Sequence, residues 1–141
     1  MADTRRELIL KRIKTNLNPI VGATCYRSRV EPLARSEAPA IIVEPVSDQP
    51  SEQFPTVLQW ELRVRVTVIV RANTPDDTSD DYSQQVHSLI MADPTVNGYA
   101  LDINPDRVEF NMIEADVPVG IISMDFLVLY RSGRTNLTSA S

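Results

Sequence analysis

Glycine is scarce, with four residues in 141. A phosphate-cradling loop of the GxGxxG or GxxxxGK type needs repeated glycines so that backbone amides can approach the ligand, and neither string is present. Histidine and cysteine occur once each, as His87 and Cys25. A Ser-His-Asp or Cys-His device would have to use His87, which stands mid-helix beside Val86 and one turn after Ser83. A helix-flank histidine without a catalytic role is the simpler reading. One His and one Cys fall short of the N/S ligands that zinc requires. Cys25 has no partner for an intramolecular disulfide, so a reducing compartment is expected. It reads as a small packing residue, the alternative being a thiolate favoured by Arg27 and Arg29 on its face. Lysine is nearly missing too, because 12 of the 14 cations are arginine. Arginine's rigid fork suits carboxylates and tolerates interfaces. No stretch approaches the roughly 18 apolar residues of a membrane span. The start, MADTRRELIL, has neither the apolar core nor the cleavage site of a signal peptide, so secretion is not expected.

What is present is a chain of one-domain length with ordinary globular composition and a net charge of -5. That sign argues against nucleic acid as the main partner. Residues 1–72 hold 11 basic and 8 acidic groups, a balance of +3, whereas residues 73–141 hold 3 and 11, a balance of -8. Two differently solvated faces would produce this split, and so would copies that meet face to opposite face.

TRRELILKRIKTNLNPI predicts a first helix. Thr4 and Glu7 have capping-box spacing, Ile9, Ile13, Asn16, Leu17 and Ile20 form a stripe with Leu10 beside it, and Asn18-Pro19 ends it. Residues 23–30 read as a short strand. Ala40 to Val43 is a β-branched run between Pro39 and Pro45, also a strand. EPVSDQPSEQFP, residues 44–55, has three prolines and the acids Glu44, Asp48 and Glu52, and is expected to be a mobile loop. QWELRVRVTVIVR (59–71) alternates over 13 residues. Trp60, Leu62, Val64, Val66, Val68 and Val70 share one face, and Gln59, Glu61, Arg63, Arg65, Thr67 and Arg71 share the other. At ~3.3 Å per residue it would run about 40 Å, long for a strand.

TPDDTSDDYSQQVHSLIMADP predicts a second helix with Thr74 as N-cap and Pro75 at its first position. Tyr82, Val86, Leu89 and Ile90 form its apolar stripe, and Pro94 ends it. Asp76, Asp77, Asp80 and Asp81 sit at the positive end of its dipole, and their spacing does not match an EF-hand loop. Asn97-Gly98 and Asn104-Pro105 read as turns. RVEFNMIEAD alternates, with Val108, Phe110 and Met112 on one face, and VGIISMDFLVLYR (119–131) is the last strand. SGRTNLTSAS is a polar tail expected to fray.

The expected fold is α+β, in the order α-β-β-β-α-β-β: a mixed, mainly antiparallel sheet packed against two α-helices. Residues 1–133 form a single domain and residues 134–141 the tail. Arg63 and Arg65 alternate with apolar residues that point the other way, which is unlike the basic and aromatic interleaving of nucleic-acid readers. No enzymatic device emerges. An arginine-bearing sheet face, an acidic loop and opposite charges in the two halves of the chain are features of a protein that assembles.

The strings YRSRVEPLARSEAPAIIVEP, ADPTVNGYALDINPD and DFLVLYRSGRTNLT, in this order, resemble segments of the bacteriophage tail terminator (tail-completion) family, and the likeness covers most of the chain. It implies a sheet flanked by two helices and a structural virion protein, not an enzyme. It further implies a homo-hexameric ring on the head-proximal end of the tail tube, assembled in the host cytoplasm. The ring would stop tube polymerisation and offer a surface to the head-side connector, while DNA passes through its lumen unread. A head-side neck or connector-adaptor protein is the alternative of related class. Arg27, Arg29, Arg35, Arg63 and Arg65, with Glu44, Asp48 and Glu52, are the candidate assembly residues, and no cofactor or metal is implied. Arg27, Arg29 and Arg35 either contact acidic groups of a neighbour or the tube protein, or pair with Glu31, Glu37 or Glu44 of the same chain.

Overall fold

The computed structural model describes residues 3–27, 39–72, 74–114 and 116–139. Its elements are α1 (Arg5–Leu17), β1 (Thr24–Arg27), β2 (Ala40–Gln53), β3 (Val57–Arg71), α2 (Pro75–Met91), β4 (Asp102–Ile113) and β5 (Val119–Gly133). The five strands form one sheet in the order β1-β2-β3-β5-β4. Only β1 and β2 are parallel, and every other pair is antiparallel. The α+β class and the element order are therefore those expected from the periodicities.

α1 starts where Thr4 Oγ1 accepts the Glu7 amide at 3.2 Å, satisfying one orphan donor of the first turn. Ile9, Leu10, Ile13 and Leu17 are buried along its inner stripe. In α2, Thr74 holds the N-cap position but its side chain makes no capping hydrogen bond, contrary to expectation. Val86 and Ile90 are buried, with Tyr82 and Leu89 partly so. One hydrophobic core joins these helix stripes to Ile41 and Val43 of β2, Leu62 to Val70 on alternate residues of β3, and Ile122 to Tyr130 on alternate residues of β5. All these strand residues share one face, so both helices lie on the same side of the sheet. At Gly120 α2 approaches closely: a Cβ there would stand 2.7 Å from the Pro75 Cβ.

Two expected irregular segments are ordered instead. Residues 44–53, read as a mobile loop, continue β2 and pair with β3 as far as Gln53↔Leu58. β1 ends at Arg27↔Val43, so beyond Val43 one side of β2 has no strand neighbour among the described residues. A proline whose missing N–H would face that free side removes no ladder bond. The register shifts between Pro45 and Ser47 and between Pro50 and Glu52 absorb the misfit as bulges. Asn104-Pro105, read as a turn, is likewise inside edge strand β4, with a register shift after Pro105. The tail does not fray up to Ser139. The Arg5 amide donates to Leu137 O at 2.8 Å, and Arg134 donates to Thr56 O at 2.9 Å.

Asp93 fastens α1 to the turn after α2. It accepts from Asn16 Nδ2 at 2.9 Å, Arg12 Nε at 3.4 Å and the Asn97 amide at 3.1 Å. Burial alone would raise its pKa, but these donors hold it below the usual carboxylate value of 3.8. A lowered folded-state pKa gives stability that is present above the unfolded pKa and lost as pH falls. Asp93→Ala is expected to cost about 1–2 kcal/mol at neutral pH, measured by urea unfolding. The difference from wild type should shrink below about pH 4, where both chains lack the charge.

Candidate assembly interface

The side of the sheet opposite the helices carries no helix among the described residues. Cross-strand register builds a row of alternating sign across it. Glu44 of β2 faces Arg65 of β3, Arg65 faces Asp125 of β5, and Asp125 faces Arg107 of β4. Arg65 donates to both Asp125 oxygens, Nε to Oδ1 at 2.9 Å and Nη2 to Oδ2 at 3.3 Å. That bond pushes the already high Arg65 pKa further up. Asp125 is only 5% exposed, and the guanidinium fork gives both of its oxygens a charged donor. Arg63 lies 3.7 Å from Asp125 and pairs with Asp106 of β4, and Arg107 pairs with Glu109. Beside the charged row stand Ile42, Ile69, Ile121, Leu127 and Leu129, all buried or half-buried without a helix over them.

Of the candidate residues, Arg63, Arg65 and Glu44 therefore come together on this face. Their partners Asp106, Arg107, Glu109 and Asp125 were missed by sequence reasoning. The signal for Asp125 was present, because it alternates with Met124 and Phe126 on a strand whose inner face was legible. Asp48 does not belong to this face. It points to the helix side, where it accepts from Tyr130 Oη and from Arg6 Nη1, the latter at 3.0 Å. Glu52 is exposed near the hairpin tip, opposite Gln59.

Arg27 is also on the helix side. Its Nη2 donates to both Glu7 carboxylate oxygens, at 3.0 and 3.2 Å. Its carboxylate partner among the described residues thus lies on α1, and Glu44 stands on the other face of the sheet. Arg29 and Arg35, with Glu31 and Glu37, lie outside the described residues. The sheet thus separates Arg27 from Arg63 and Arg65, so the described candidate arginines do not form a single patch.

The residues tested for chemistry are placed as follows. His87 is exposed on α2. Burial pushes the Cys25 thiol up, the opposite of thiolate activation. No group of three or more His, Cys, Asp or Glu side chains that would hold a metal ion occurs among the described residues. A groove of about 290 Å³ between the end of α1 and α2 is lined by Pro19, Ile20, Gln84, Gln85, Ser88 and Leu89, which include no titratable group. No helix among the described residues is long and apolar enough to cross a membrane.

The fold also gives the two charge halves a place. Residues up to 72 supply β1, β2 and β3, and residues from 74 supply β5 and β4. The strands β1–β3 are balanced, with four basic and four acidic groups, so the cation surplus of the described residues lies on α1, and the acid surplus lies on α2 and on β4 and β5. No protein-family model matches the chain, and no curated protein matches its sequence.

Proposed function

We propose that the chain is a structural virion subunit that caps the head-proximal end of a phage tail tube as a hexameric ring. In this role it ends tube polymerisation, meets the head-side connector, and lets DNA pass without base contacts. The observation that carries this reading is the uneven placement of charge, with the cation surplus on α1 and the acid surplus on α2, β4 and β5. A ring of identical subunits needs a heterologous contact, in which one patch meets a different patch on the next copy. A subunit with one basic and one acidic region provides two such patches, and its own net charge of -5 gives a lumen with little hold on phosphate. The family resemblance supplies the tube and the head as partners, and the sheet with two helices that it implies is compatible with the fold.

The test is sedimentation of the chain with polymerised tail tubes and with tube monomer still growing. The expected outcome is co-sedimentation at one tube end together with arrest of further growth. Tubes that lengthen unchecked in its presence would overturn the reading, and binding to isolated heads in place of tubes would identify an adaptor.

A further inference from the structure

The most exposed apolar stripe among the described residues lies on β4. Val108, Phe110 and Met112 are 48%, 70% and 49% exposed. Their register partners on β5, Met124, Ile122 and Gly120, are buried. The stripe therefore continues the core-forming face of the sheet past the point where α2 covers it. β4 is also an edge: ten of its twelve residues are exposed, and its outer side has no strand neighbour among the described residues. Residues 106–113 contain neither proline nor lysine, two of the devices that keep an edge from pairing. The rim is acidic. Asp77, Asp80 and Asp81 are exposed on the first turns of α2, and α2 begins at Pro75 against Gly120, the register partner of Met112. An apolar centre with a polar rim is the anatomy of a protein interface.

We propose that this β4 stripe is the docking face for a second copy of the chain, which enters head-to-tail through its α1/β1 side. Charge selects the occupant. A two-fold contact of β4 on β4 would set the -8 half against another -8 half, whereas a head-to-tail contact sets it against the +3 half. On that opposite side α1 presents Lys11 and Lys14, neither of them buried, whereas Arg12 is turned away to Asp93. Strand direction agrees. β1 runs parallel to β2, and three antiparallel steps lead from β2 to β4, so β1 and β4 run in opposite directions. Copies repeated in one orientation therefore bring β4 beside the next copy's β1 with antiparallel sense, the pairing two edges accept most readily. The inference rests on the ring reading only for closure of the repeat.

Sedimentation velocity of the chain up to about 1 mM, at about 50 mM and about 500 mM salt, tests the contact. Self-association that rises with concentration and weakens with salt is expected. Phe110→Asp should weaken it about 30-fold or more while leaving the circular dichroism and the thermal midpoint unchanged, because Phe110 stands outside the core. Lys11→Glu/Lys14→Glu should weaken it from the other side. Mixing the two variants should restore a 1:1 dimer and nothing larger, since one intact copy of each face remains. A wild-type chain that stays monomeric, a Phe110→Asp chain that associates like wild type, or a mixture that does not dimerise would each overturn the proposal. Tube capping assayed on the same samples separates the two readings. Self-association through Phe110 without capping upholds the contact and sinks the cap, and capping without that association does the reverse.

Discussion

Phe126→Ala should be the most damaging single truncation in the chain, costing about 3–5 kcal/mol of a total stability of about 5–15 kcal/mol. Phe126 is 1% exposed and lies on β5 between Val64 of β3 and Pro105 of β4. β5 is paired along its length with β3 on one side and with β4 on the other, so its backbone cannot shift to fill the space, and the helices above are tied by their own stripes. The cost is therefore lost transfer energy plus a cavity that collapses only in part. Phe110 makes the control. It has the same chemistry, stands on the same face one strand away, and is 70% exposed. Phe110→Ala should change monomer stability by no more than about 0.5 kcal/mol. Urea unfolding of both variants checks the pair. A loss under about 1 kcal/mol for Phe126→Ala would mean that the helices do not seal this face.

The contrast between the two phenylalanines also marks how much of the molecule was legible. Alternation in residues 59–71 and 119–131 reports which side chains share a face, because period two is a local property of the strand. It does not report what covers that face. Val108, Phe110 and Met112 alternate as cleanly as the core residues do, yet the sheet extends past the helices and leaves them exposed. Register was the second gap. β2 and β3 are joined by a short hairpin, closed where the Phe54 amide donates to Val57 O at 2.9 Å. β5, in contrast, reaches β3 only after α2 and β4 have intervened. Nothing local in the chain says that Arg65 meets Asp125, so the charged row was visible only as unpaired arginines. The third gap was proline. Pro45, Pro50 and Pro105 read as breakers because an interior strand excludes them. They stand where one side of the strand is free, and an edge accepts them through bulges. The same prolines hide Asp48, which reads as a loop acid and lies instead under α1.

That buried contact sets the second large effect, an alkaline limit on stability. Tyr130 is 3% exposed, stacks on Trp60 with ring centroids 6.4 Å apart, and donates its hydroxyl to Asp48. Burial foremost, then the hydrogen bond and charge of Asp48, push its pKa far above the ordinary 10.0, against a smaller opposing pull from Arg6. In the unfolded chain the phenol ionises near its ordinary value. The folded state thus holds a proton that the unfolded state has lost, and stability must fall as pH rises past about 10. Below that pH both states are protonated and the contribution is fully present. One proton of difference corresponds to about 1.4 kcal/mol per pH unit, so roughly 2–3 kcal/mol should go between pH 10 and 12. Tyr130→Phe removes the ionisation and should flatten the decline by that one proton. It leaves Asp48 without its hydroxyl donor, which costs about 1–2 kcal/mol at neutral pH. The two stability curves should therefore converge on the alkaline side, and parallel curves from pH 8 to 12 would show that Tyr130 ionises alike in both states.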